Sequence, residues 1–168
     1  ALGRSRGGFG TKIHGSFDGL GHPVELLVTA ANESDIGQAE ALLAEARIAT
    51  DDLVGGVRDY PELYFAGYTQ DAVKEFVEGN LVYAMVRGRP LPAPEDLGSE
   101  PNTWLNGLAE AASELRRRIL DLLRHGETAE AERLLDAMDH IYSTLVTFDF
   151  ADQITGGLRR RTDALRAV

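Results

Sequence analysis

Lys74-Glu75-Phe76-Val77-Glu78, followed by Leu108-Ala109-Glu110-Ala111-Ala112-Ser113-Glu114-Leu115-Arg116-Arg117, decides how this chain is read. In both stretches apolar residues recur at helical spacing, and the carboxylates stand at i,i+3 (Glu75, Glu78) and i,i+4 (Glu110, Glu114). Each pair therefore projects from one face of its helix. Two such helices packed together would bring four carboxylates round a hard divalent cation such as Mg2+, which takes oxygen ligands. In phosphodiester hydrolysis a metal of this kind activates the attacking water and neutralises charge on the leaving oxygen. The same spacing is ordinary on a solvated helix face, so the pattern by itself is also compatible with purely structural glutamates.

Outward from these motifs the pattern stays helical. Pro61 suits a first helical turn, and Leu63, Ala66, Val73, Val77, Leu81, Ala84 and Met85 form an apolar stripe that predicts one helix from Pro61 to Arg87. Leu91 to Gly98 reads as a short ordered connector. A helix from Pro101 to His125 carries Leu105, Leu108, Ala112, Leu115, Ile119 and Leu122, and stops at His125-Gly126. Glu127 to Thr147, with Leu134, Leu135, Met138, Ile141, Tyr142 and Leu145, predicts another; Thr155-Gly156-Gly157 then breaks the chain before a last helix from Leu158. Short connections between striped helices predict an all-α antiparallel bundle.

Ahead of this part the pattern changes. Residues 1–10 are rich in Gly, Arg and Ser, and Thr11 to Thr29 reads as a β-hairpin turning at Asp18-Gly19-Leu20-Gly21-His22-Pro23. Two strands alone are marginal in water, so this hairpin is expected at the periphery. Asn32 to Asp35 offers helix caps, and Ile36 to Ala46 predicts a helix.

With 168 residues the chain has material for one domain with a real core. A formal net charge of -10 excludes a generally basic, nucleic-acid-coating surface, so any nucleic acid is met by a local patch or through metal ions. The absence of cysteine removes disulfides, thiolate metal sites and cysteine nucleophiles together. No stretch approaches the length of a membrane span, and a cytoplasmic location is the default expectation. His14, His22, His125 and His140 lack paired ligand spacing, and the lone Trp104 is read as core or interface rather than a base-stacking platform. The compact basic runs Arg116-Arg117-Arg118 and Arg159-Arg160-Arg161 are candidate phosphate contacts, Arg116, Arg117, Arg159 and Arg160 foremost, with pairing to nearby acids as the competing role.

Residues 37–168 resemble the translin family, especially its prokaryotic translin/Trax-like members. The resemblance rests on Gly67 to Glu78, on Asn106 to Arg117, and on Met138-Asp139-His140-Ile141-Tyr142 with Thr155-Gly156-Gly157-Leu158-Arg159-Arg160. It implies an all-helical bundle of the translin type that assembles into closed homo-oligomers and binds single-stranded RNA and DNA. In the Trax-like branch it also implies Mg2+-dependent RNA cleavage by acidic residues. The family's acidic motif maps onto Glu75 and Glu78, and its next acid onto Glu110, a glutamate where the best-known nuclease branch has aspartate; Glu114 stands one turn on. These four are the candidate catalytic and Mg2+-binding residues. Only residues 39–47 match the end of the family's second helix, so a truncated translin-like domain lacking the basic first helix is expected.

Residues 1–36, with a junction inside 37–43, resemble a fragment of an insertion-sequence transposase of the DDE type that lacks its catalytic aspartates. Three readings follow: a single-stranded nucleic-acid-binding translin-like protein that is a candidate Mg2+-dependent endoribonuclease; a non-catalytic helical assembly protein; and an inactive transposase remnant.

Overall fold

The computed structural model describes the backbone of residues 3–5, 8–17, 23–30 and 35–166, and the side chains of residues 38–166. The chain divides into two compact units, Ala1–Ala72 and Val73–Val168.

In the first unit, β1 (Gly3–Ser5), β2 (Gly8–Phe17) and β3 (Pro23–Ala30) pair antiparallel in that order. Thr11 stands opposite Ala30 and Ile13 opposite Val28. The turn expected at 18–22, and the side chains that would show whether the hairpin is peripheral, lie outside the described residues. Helix α1 (Asp35–Val57) runs well beyond the expected end at Ala46. No proline or glycine interrupts residues 47–54, Thr50 returns its hydroxyl to the Ala46 carbonyl at 2.8 Å, and Leu53 and buried Val54 continue the stripe begun by Leu42 and Ala46. The junction expected within residues 37–43 falls inside this helix.

The single helix expected from Pro61 to Arg87 is two. Helix α2 (Pro61–Tyr64) closes after one turn, and α3 (Gly67–Val86) starts anew. Side chains replace the backbone donors at the break. Buried Thr69 donates its hydroxyl to the Leu63 carbonyl at 2.8 Å, and Gln70 Nε2 donates to the Tyr64 carbonyl at 2.7 Å. These are the carbonyls that a continuous helix would have given to amides one turn on. Leu63, counted in the apolar stripe, is therefore exposed.

The second unit is all helix. After the Val73–Val86 portion of α3 come α4 (Pro94–Leu97), α5 (Pro101–Arg124), α6 (Thr128–Leu145), α7 (Asp152–Thr155) and α8 (Leu158–Arg166). Helix α5 touches α6, α7 and α8, and α6 folds back along it after the turn at Gly126, whose φ of 78° is open to glycine at little cost. The expected stripes form the core: Val77 and Leu81 of α3, Leu115 and Leu122 of α5, Leu134 and Leu145 of α6, and Leu158 of α8 are fully buried. Leu135 departs from its stripe and is 49 % exposed, because it lies one residue, about 100° of helix, past Leu134. Trp104 anchors the connector, its indole N–H donating to the Pro92 carbonyl at 3.0 Å. Arg133 of α6 donates to the Met85 carbonyl at 2.9 Å, capping the end of α3. Among the described residues no helix is long and apolar enough to cross a membrane.

Candidate metal and nucleic-acid site

The site begins with a glycine. At Gly107 a Cβ would lie 2.8 Å from Val77 Cγ1 and 3.3 Å from the Lys74 carbonyl oxygen, so α5 comes too close to α3 here to leave room for a side chain. One turn further along α5 stands Glu110, facing the turn of α3 that carries Lys74, Glu75 and Glu78. Glu75, Glu78 and Glu110 each present a carboxylate oxygen within 4.8 Å of the others, with Glu75 exposed and the other two half-buried.

Two cations enter this cluster. Lys74, only 8 % exposed, reaches both oxygens of Glu110, Nζ lying 3.1 Å from Oε1 and 2.9 Å from Oε2, and stands 3.5 Å from Glu75. Arg161 of α8 donates Nε–H to Glu110 Oε1 at 2.6 Å. Its Nη1 donates to Asn106 Oδ1 at 3.0 Å and to the Gly156 carbonyl at 3.1 Å. Buried Asn106 completes the network by donating to the Thr155 carbonyl at 2.6 Å and the Asn102 carbonyl at 2.7 Å. The start of α8 is thus tied to α5, and through Glu110 to α3.

The electrostatics separate the three acids. Burial pushes the Glu78 carboxyl up, and the negative charges of Glu75, Glu110 and Glu114 push it further, to about 7 against an ordinary 4.5, with Lys74 opposing. Burial would also raise Glu110, but hydrogen bonds from Arg161 and Lys74 outweigh it and hold Glu110 below its ordinary value. Lys74 shows the reciprocal effect: burial favours its neutral form, yet Glu110 and Glu75 hold it above the usual lysine value. One carboxylate is thereby fixed as an anion, while its neighbour takes up a proton near neutral pH unless another cation arrives.

Glu114, the fourth candidate, stands close enough to act on Glu78 but is outside the convergent group; its carboxylate pairs with Arg117 at 2.7 Å. Beyond it a groove of about 420 Å³ runs between α3 and α5, lined by Val82, Val86, Glu114, Arg117, Arg118 and Arg124 among others. Arg116, Arg117, Arg159 and Arg160 are all exposed. Of the run Arg159-Arg160-Arg161, it is the third residue that enters the site. The sequence pattern assigns no role to Lys74 or Asn106, and offers Arg161 only as the end of a basic run, although Lys74 lies at helical spacing from Val77 and Leu81, and Arg161 from Leu158 and Leu165.

No protein-family profile matches the chain. It is similar to AfC3PO, an archaeal translin/Trax-like protein: 36 % identical to the crystal structure of AfC3PO, at TM-score 0.68, covering 78 % of this chain and 70 % of that one. Against the structure of AfC3PO with duplex RNA the identity is 30 % and the TM-score 0.63, covering 78 % of this chain and 81 % of that one. The chain belongs to the translin family. An uncharacterized protein of Methanocaldococcus jannaschii is 31 % identical over 110 residues, which are 65 % of this chain and 48 % of the relative. The chain thus spans about half the length of the curated relative it matches. For a translin family member the helical class is as expected, whereas the comparisons give no support to the transposase resemblance of residues 1–36.

Proposed function

We propose that this translin-family chain binds RNA and is a candidate Mg2+-dependent endoribonuclease, with Glu75, Glu78 and Glu110 as its metal-binding and catalytic carboxylates and Glu114 beside them. The observation that carries this reading is the convergence of the three carboxylates within 4.8 Å across two helices. The donor set fits a hard cation: all ligand atoms are oxygens, and a divalent ion would relieve the repulsion that, added to burial, lifts Glu78 to about 7. Bound there, Mg2+ would supply activation of an attacking water and neutralisation of the leaving oxygen. The chain's own contribution is orientation. Lys74 and Arg161 hold Glu110 ionised and in place, and Glu78 can hold or release a proton near neutral pH.

AfC3PO in complex with duplex RNA favours RNA as the ligand. Single-stranded RNA or DNA is the strand expected from the family, and Arg116, Arg117, Arg159 and Arg160 are its proposed phosphate contacts. Assembly into a homo-oligomer is supported by exposed apolar side chains in the second unit, among them Phe150 and Ile154 at 63 % and Leu135 at 49 %. One observation favours a second reading, a non-catalytic assembly protein: Glu110 already has two cationic partners and needs no metal for neutrality.

The deciding experiment is cleavage of labelled single-stranded and duplex RNA by wild type, Glu78→Ala and Glu110→Gln, with Mg2+ or EDTA. Cleavage that requires Mg2+ and is lost in both variants is the expected result. Undiminished cleavage in the variants overturns the site, binding without cleavage at any Mg2+ concentration leaves RNA binding without catalysis, and neither binding nor cleavage favours the assembly reading.

A further inference from the structure

Arg161 is held at three points and has donors to spare. Nε–H is taken by Glu110 Oε1, and both N–H groups of Nη1 are occupied by Asn106 Oδ1 and the Gly156 carbonyl. Among the described residues Nη2 has no protein partner, so two of the five guanidinium donors remain. The side chain is 20 % exposed, which leaves it within reach of a ligand while its plane stays fixed.

Neutralising Glu110 does not account for this arginine. Lys74 already meets both oxygens of that carboxylate, at 3.1 and 2.9 Å. A second cation on the same acid, pinned by a buried asparagine and a backbone carbonyl, presents its remaining donors at a fixed angle. Planar guanidinium donors of this kind match the oxygens of a phosphodiester. Arg159 and Arg160, by contrast, are exposed.

We propose that Arg161 binds a backbone phosphate of the RNA beside the carboxylate centre, an inference that rests on the RNA-binding reading above. Nη2 contacts the phosphate while Nε and Nη1 keep the guanidinium aligned, so the strand is registered against Glu75, Glu78 and Glu110. Arg161 is then a positioning residue for those carboxylates and a ligand contact at once.

The test is the salt dependence of binding. A labelled single-stranded oligoribonucleotide is titrated with wild type, Arg161→Gln and Arg161→Lys across a KCl series, in EDTA and again in Ca2+, with circular dichroism as the check on folding. Each lost phosphate contact flattens the slope of log affinity against log salt by about 0.7 for a single strand. Arg161→Gln is expected to show that flattening with roughly tenfold weaker binding. Arg161→Lys keeps the charge and the slope, but binds severalfold more weakly because a lysine cannot hold the fork. A slope unchanged in Arg161→Gln overturns the proposal. Should that variant fail to fold, Arg161→Lys decides, and affinity equal to wild type overturns it. Wild type that binds no RNA in either condition removes the RNA reading and this inference together, whereas binding with an unchanged slope removes only the latter.

Discussion

Gly107 of α5 and Val77 of α3 touch where no side chain fits between them, a Cβ at position 107 standing 2.8 Å from Val77 Cγ1. The distance between the helices that carry the acidic motifs is set here, one turn before Glu110 and next to Glu78 in the chain. Gly107→Ala gains helix propensity of about 1 kcal/mol but forces the helices apart, and overpacking of this kind costs roughly 1–3 kcal/mol. The expected outcome in urea unfolding is a net loss of stability. Val77→Ala added to Gly107→Ala should recover part of it, giving a double variant more stable than the two single losses summed.

Glu110→Ala should destabilise the fold, contrary to what its place on a helix surface would lead one to expect. It strands buried Lys74 and the pinned Arg161 without their shared acceptor. Loss of a charged acceptor from buried donors costs roughly 1–3 kcal/mol, the lower part applying here because the carboxylate is partly solvated. Glu110→Gln keeps one oxygen in place and should lose less. Chemical denaturation of both variants checks the order.

Glu78 imposes a pH dependence of definite sign. Its folded-state value, about 7, lies above the ordinary 4.5, so between these limits the folded chain binds a proton that the unfolded chain has released. Its contribution to stability is therefore complete below pH 4.5 and is lost as pH rises through 7. Glu78→Gln should be more stable than wild type at pH 8, by about 2–4 °C in thermal midpoint for each kcal/mol relieved, with the difference vanishing towards pH 4.5. Glu110, held below its ordinary value, runs the other way, its contribution fading as pH falls below 4.5.

If the three carboxylates hold Mg2+, the ion should stabilise wild type at pH 8 by about 2.7 kcal/mol at a hundredfold excess over its dissociation constant, read as a rise in thermal midpoint. Glu75→Gln and Glu78→Gln should shift less at the same concentration. Equal shifts in all three proteins would place the ion elsewhere.

The helical half of the chain was legible because its apolar stripes are regular. Val77, Leu81, Leu115, Leu122, Leu134 and Leu145 were all predicted to be inside and are. The break before Gly67 was not, because it depends on Thr69 and Gln70 capturing carbonyls, and residue type does not announce a side chain's partner. The acids were legible as types, and three of the four converge, while Glu114 is drawn to Arg117 by a neighbour three residues along its own helix. Lys74 carries no role in the sequence pattern, and Arg161 figures there only as part of an exposed basic run, because charged residues are usually read as surface. Their positions on the buried stripes of α3 and α8 were the available signal.

The centre also carries an order in time. Glu75 and Glu78 lie on α3, Glu110 on α5 and Arg161 on α8, so synthesis delivers the acids first and the guanidinium last. At about 5–20 residues per second, several seconds separate Glu110 from Arg161. During that interval Glu110 has Lys74 as its only cation of the two, and the acidic cluster faces phosphate with little to offset its repulsion. The Arg161 contact proposed above is therefore available only once α8 has docked against α5.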